Sequence, residues 1–127
     1  MNFKEGLPIY VQIAERLSDE ILSGTYEADA RVPAVREYSS LLEVNVNTAV
    51  KAFDLLRRRG VLYDKRGLGS FVSPEARQLI LDTRRREFME TDLPEMFRRM
   101  DMLGISAAEV RAAYDARRAG NENKAND

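Results

Sequence analysis

The sequence predicts a mostly α-helical chain carrying one small β-hairpin, and three observations point there. A short helix over 33–42 leads through a tight turn at Glu43 and Val44 into a second helix over 45–59. Gly60 stops that helix, and a hairpin follows, with strands over 61–64 and 70–72 around the tip Lys65-Arg66-Gly67-Leu68-Gly69. After Pro74 come three short amphipathic patterns separated by capping residues. Helix, turn, helix and a basic glycine-rich hairpin make the layout of a winged helix-turn-helix, which lays its second helix in the DNA major groove. The expected organisation is a winged helix-turn-helix over 1–73, a helical dimerisation or effector tail over 74–120, and a disordered C-terminus over 121–127.

Residues 1–7 read as a flexible arm. Pro8 suits the first turn of a helix, where its missing N–H costs nothing. Ile9, Ile13, Leu17 and Ile21 then recur every four residues, which predicts an amphipathic helix of about 15 residues. Ser23-Gly24 closes it. Residues 25–32 form a loop in which Arg31-Val32 is a candidate short strand beside the hairpin. Val35, Tyr38, Leu41 and Leu42 give the next helix its apolar face. Arg36 stands near its N-terminal end, where a cation opposes the helix dipole. Spacing alone leaves Arg36 open between an ordinary surface residue and a DNA contact.

Asn45 is a good N-cap for the second helix of the pair. Ala49, Ala52, Phe53 and Leu56 form its buried stripe, with Asn47, Val50, Lys51 and Asp54 on or beside the opposite face. Val46, Asn47 and Thr48 occupy the first turn, the part of a recognition helix that meets base edges. Asn can bond adenine, and Thr offers a hydroxyl or methyl contact. Asn45, Asn47 and Thr48 also read as plain capping residues. The run Arg57-Arg58-Arg59 likewise suits a helix C-terminus through the dipole as well as it suits DNA. The wing tip is more specific. Lys65 and Arg66 stand beside Gly67 and Gly69, whose backbone freedom allows a tight turn and close approach to a phosphate ridge or minor groove. A phosphate-cradling Walker loop would need another spacing between a strand and a helix.

In the tail, Ser73-Pro74 opens a helix over 75–90 in which Arg84-Arg85-Arg86 reads as solvated. Asp92 and Glu95, at capping-box spacing, open the next helix, and Gly104 stops it. Ser106 and Glu109 repeat the box before a last helix ending near Gly120. A segment this short does not readily stabilise itself. Leu81, Phe88, Leu93, Met96, Phe97 and Met100 are therefore expected at a dimer interface, together with Leu103, Val110 and Tyr114. A small ligand pocket lined by the Met and Phe residues is the lesser reading, because nothing polar converges there.

Composition narrows the function. With no Cys and no His, disulfides, thiolate nucleophiles and the usual general base and metal ligands are absent. No catalytic residue, metal site or cofactor is expected, and the chain is not read as an enzyme. The N-terminus lacks the apolar core of a secretory signal, and no apolar run approaches the ~20 residues that span a bilayer, so no membrane partner and a cytoplasmic location are expected. The net charge of −1 looks wrong for a DNA binder, but its distribution does not. Residues 5–33 carry six acidic and two basic side chains, whereas 34–72 carry four acidic and seven basic ones. The positive excess lies in the groove-reading elements. It is modest, which predicts few contacts and salt-sensitive binding. A winged helix that docks protein without binding DNA is the alternative, and the basic tip argues against it.

The segments PIYVQIAERLSDEILSG, RVPAVRE, VNVNTAVKAFDLL and RRGVLYDKRGLGSFV, in continuous spacing over 8–72, resemble the DNA-binding domain of the GntR family of bacterial transcription regulators. The tail LPEMFRRMDMLGIS resembles that of the YtrA-like subfamily. The resemblance implies a homodimer on double-stranded DNA at a palindromic operator, usually a repressor released by a small-molecule effector, with a transporter operon as a candidate target. It implies DNA contacts from Arg36, from Val46, Asn47, Thr48 and Lys51, and from Arg66, Gly67 and Gly69 at the wing tip; Asn45 and Lys65 beside them join the candidate set. The chain departs from the family pattern at Val46 and Val50, where cations or other residues are common. It also departs at Glu43, which replaces a turn glycine, and at Ala34, which replaces a capping Ser. If position 43 has positive φ, Glu43 is strained.

Overall fold

The computed structural model describes residues 3–126. The elements run α1 (Ile9–Leu22), α2 (Val35–Leu42), α3 (Val46–Arg58), β1 (Leu62–Lys65), β2 (Gly69–Val72), α4 (Ala76–Glu87), a five-residue π-helical segment (Phe88–Asp92), α5 (Leu93–Leu103) and α6 (Ala107–Asn126). They divide into two compact units, Met1–Arg84 and Arg85–Asp127. The first two turns of α4 belong to the first unit, because Ala76 and Ile80 are buried in its core.

That core follows from the apolar spacing. Ile13, Leu17 and Ile21 of α1 meet Tyr38 and Leu42 of α2, and Phe53 and Leu56 of α3. Tyr38 and Phe53 pack edge to face with centroids 5.9 Å apart, a geometry aromatic pairs favour. Tyr38 is fully buried, and its hydroxyl donates to Glu20 of α1. Burial, and then the bond to Glu20, push the phenol above its ordinary pKa. Val61, Leu62 and Val72 seal the core from the hairpin side.

Among the described residues, four helices end in one way, by a left-handed residue whose neighbouring N–H groups return to the carbonyls of the last turn. Gly24, Gly60 and Gly104 supply it after α1, α3 and α5. After α2 the residue is Glu43, at φ 56° and ψ 48°. Its N–H donates to Ser40 O and that of Val44 to Ser39 O, so the turn between α2 and α3 has glycine geometry with a glutamate in it. At the other end of α2, Ala34 holds the N-cap position and forms no side-chain cap bond. The departures at Glu43 and Ala34 therefore both fall where they cost stability.

β1 and β2 pair antiparallel, with Leu62 opposite Val72 and Lys65 opposite Gly69. The candidate strand at 31–32 is present as a bridge between Arg31 and Phe71, flanked by Val32 N–H to Ser70 O at 3.0 Å and Val72 N–H to Ala30 O at 2.9 Å.

Several expectations are corrected. The arm over 1–7 is not free where it is described. Gln12, buried in α1, accepts from the Lys4 N–H at 2.7 Å and donates to the carbonyls of Lys4 and Leu7, both at 2.9 Å. Residues 1 and 2 lie outside the described part. Arg84 is not simply solvated, because it pairs with Asp19 at 2.6 Å and donates to Glu15 O. Asp92 is not a cap. Its backbone is helical and makes no side-chain cap bond, while Glu95 instead holds Arg98 through two bonds. The helix passes through this point in a widened register, with the Leu93 N–H donating to Phe88 O five residues back. Pro94 explains the irregularity, since it lacks an N–H and its ring crowds the carbonyl four residues earlier. The second box does form, with Ser106 N–H to Glu109 Oε2 at 2.7 Å and Glu109 N–H to Ser106 Oγ at 3.1 Å. α6 then continues beyond Gly120 through residues where disorder was expected. Most of those residues tolerate helix, and one Gly costs only about 1 kcal/mol. The last residue, 127, lies outside the described part.

Candidate nucleic-acid interface

The candidate surface is built in the unit Met1–Arg84 from the start of α2, the start of α3 and the hairpin. Arg36 is exposed in the first turn of α2. Asn45 caps α3, its Oδ1 accepting the Asn47 N–H at 2.8 Å. That engages the Asn45 oxygen and leaves its NH₂ group. Asn47 and Lys51 are exposed, Val46 and Thr48 half-buried, and Val50 is 39% exposed. The first five residues of α3 thus offer an amide, a hydroxyl and two β-branched aliphatic surfaces, the chemistry that reads base edges and thymine methyls. A depression of about 610 Å³ lies against the same helix, lined by Tyr10, Lys51, Asp54, Arg57 and Arg58.

In the wing, Lys65, Arg66, Gly67 and Gly69 are all exposed. Lys65 Nζ lies 4.5 Å from the Phe71 ring centroid and 5.9 Å from that of Tyr63, so a cation–π contact holds its ammonium over the sheet face. The two rings stack at 5.8 Å, and the Tyr63 hydroxyl donates to Asp29 at 2.7 Å. That bond raises the Tyr63 pKa above its ordinary value.

Arg57 resolves the ambiguity of the triple arginine. Its guanidinium reaches Asp54 at 2.7 Å, Asp64 at 3.0 Å and Ser70 Oγ at 3.2 Å, while Ser70 Oγ donates to Asp64 at 2.6 Å. The first arginine of the run is a tie between α3 and the wing. It also engages two of the four acids in the basic segment. Among the described residues, Arg31, Arg36, Lys51, Lys65 and Arg66 form no ion pair. Sequence reasoning missed Arg31 as a wing residue, and the candidate strand at 31–32 was the signal that pointed to it.

Of the expected interface residues in the tail, none is buried. Leu81, Leu93, Met100 and Val110 are half-buried. Phe88, Met96, Phe97, Leu103 and Tyr114 are 38–67% exposed. No residue of α5 is buried. Among the described residues, no helix is long and apolar enough to cross a membrane.

A helix pair joined by a tight turn, an exposed polar first turn on the second helix and a basic wing define a winged helix-turn-helix DNA-binding protein. The model of the gntR family of bacterial regulatory proteins matches residues 9–72, and the chain belongs to that family. It is 30% identical over 79 residues to the HTH-type transcriptional repressor YtrA of Bacillus subtilis, a match spanning 62% of this chain and 61% of that repressor. A crystal structure of a GntR-family regulator from Bacteroides thetaiotaomicron is 38% identical, with a TM-score of 0.78 over 89% of this chain and 98% of the other. The AraR DNA-binding domain in complex with operator ORX1 is 31% identical, with a TM-score of 0.52 over 57% of this chain and 93% of that one. The family is one of transcription regulators, not enzymes.

Proposed function

We propose that the chain acts as a homodimeric repressor on a palindromic operator, and that a small-molecule effector releases it. The observation that carries this reading is the composition of one surface. An exposed Asn47, a half-buried Thr48 and cations without ion-pair partners share it with a wing tied to the recognition helix by Arg57. In this division of labour Arg36 and Lys51 grip the sugar–phosphate backbone, Asn47 and Thr48 read bases, and Arg66 and Gly67 approach the minor groove. Val46 and Val50 replace side chains that commonly contact DNA in the family, which narrows base reading to Asn47 and Thr48. The unpartnered apolar residues of α5 and α6 supply the pairing surface, and a twofold dimer matches a twofold operator. A transporter operon is the proposed target, by likeness to the YtrA-like subfamily.

The test is to titrate the full chain against a duplex from upstream of its own gene and against a scrambled duplex, from 50 to 200 mM salt. The reading expects preference for the first duplex, two chains per site and an affinity that falls with salt. Equal binding to both duplexes, or none, would overturn it.

A further inference from the structure

The wing carries a cation that the chain delivers from elsewhere. Arg31 follows α1, yet its backbone bridges to Phe71 and gives the hairpin a third short edge. Residues paired across strands share a face. Arg31, Phe71 and Tyr63 therefore lie on one face, and the pair Lys65 and Gly69, two positions along, lies on it too. The Arg31 guanidinium leans over Gly69. A Cβ built on Gly69 would stand 3.0 Å from Arg31 Nε and 3.6 Å from Nη2. Lys65 lies opposite Gly69 in register, with its ammonium over Phe71. Two cations thus border a position that has no side chain. Arg31 is exposed, and its guanidinium forms neither an ion pair nor a hydrogen bond among the described residues.

We propose that Arg31 and Lys65 form a seat for one phosphate of the DNA backbone on the flat face of the wing, over Gly69. The inference rests on the DNA-binding function proposed above. The planar guanidinium presents paired donors that match phosphate oxygens, and Lys65 adds a point charge. The missing side chain at Gly69 makes room for the Arg31 guanidinium to lie against the sheet. Such a contact positions the wing and carries no sequence information. The wing then grips DNA through its face as well as its tip.

The test compares the full-length wild type, Arg31→Gln and Arg31→Lys on the duplexes named above over 50–200 mM salt. Arg31→Gln should reduce the slope of log affinity against log salt by about 0.9 per bound chain, about 1.8 for the pair. It should weaken matched and scrambled duplexes by the same factor, and it should leave the thermal midpoint unchanged. Arg31→Lys should keep the wild-type slope. A wild-type slope in Arg31→Gln, a loss confined to the matched duplex, or a lowered midpoint would overturn the seat. Wild type that binds without salt dependence, or not at all, would sink the proposed function as well. Normal wild-type binding with an unaltered Arg31→Gln slope would sink the seat alone.

Discussion

Arg57 Nε and Asp64 Oδ2 stand 3.0 Å apart across the junction between the recognition helix and the wing. Both side chains are partly exposed, and an ion pair of that kind contributes about 0–1 kcal/mol. Its larger effect is orientation, because Ser70 and Asp54 complete the tie and fix the hairpin against α3. The Ser70 hydroxyl and then Arg57 hold the Asp64 carboxyl below the usual carboxylate range. A group depressed in the folded state adds stability that is present above its unfolded pKa and is lost as pH falls through the folded one. The stability difference between wild type and Asp64→Asn should therefore be flat at neutral pH and shrink below about pH 4. Thermal melts across that range check it, and a difference that persists into acid would contradict it. Arg57→Ala should lower operator affinity by roughly tenfold, about 1.4 kcal/mol, while changing stability by less.

Glu43→Gly should stabilise the fold by about 1 kcal/mol, since an L-residue in the left-handed region carries a cost of that order. Ala34→Ser should add about 1 kcal/mol by capping α2. Denaturant melts of the two variants measure both gains. A loss in Glu43→Gly would show that the glutamate side chain makes a contribution larger than the strain.

Arg36→Ala and Asn47→Ala should separate grip from reading. The arginine variant should weaken matched and scrambled duplexes about equally. The asparagine variant should erode the preference between them by about 1–3 kcal/mol. Filter or fluorescence titrations on both duplexes decide this, and identical behaviour of the two variants would remove the proposed division.

Phe97→Asp in α5 should shift the chain toward monomer in sedimentation and reduce operator affinity. Phe97 is half exposed in its own chain, so the substitution costs little within one protomer but buries a charge in a pair. A variant that remains fully dimeric would place the interface elsewhere.

The helix-turn-helix was legible because its signals are local. Apolar spacing, Asn45 at a cap and Gly60 at a stop all act within a few residues. Arg57 was not legible, because three consecutive arginines look alike until the hairpin selects the one whose helical phase faces Asp64. Arg31 depended on strand register across forty residues of sequence. Asp92 and Glu95 misled for another reason. Glu95 has a competing partner in Arg98 one turn on, and spacing cannot say which bond a carboxylate chooses. Among the described residues the end of α6 has no buried apolar face, so no periodic signal marks where it stops.

The π-helical segment at Phe88–Asp92 has a consequence for how this tail tolerates change. One residue inserted into a helix turns everything beyond it by about 100°. The angular phase between Phe88 and Met89 on one side and Met96 and Phe97 on the other is therefore set by the backbone irregularity that Pro94 imposes. Conservative swaps along this stretch leave that phase intact. Deleting one of the polar residues 90–92 would swing one half of the apolar surface away from the other, without altering a single apolar residue.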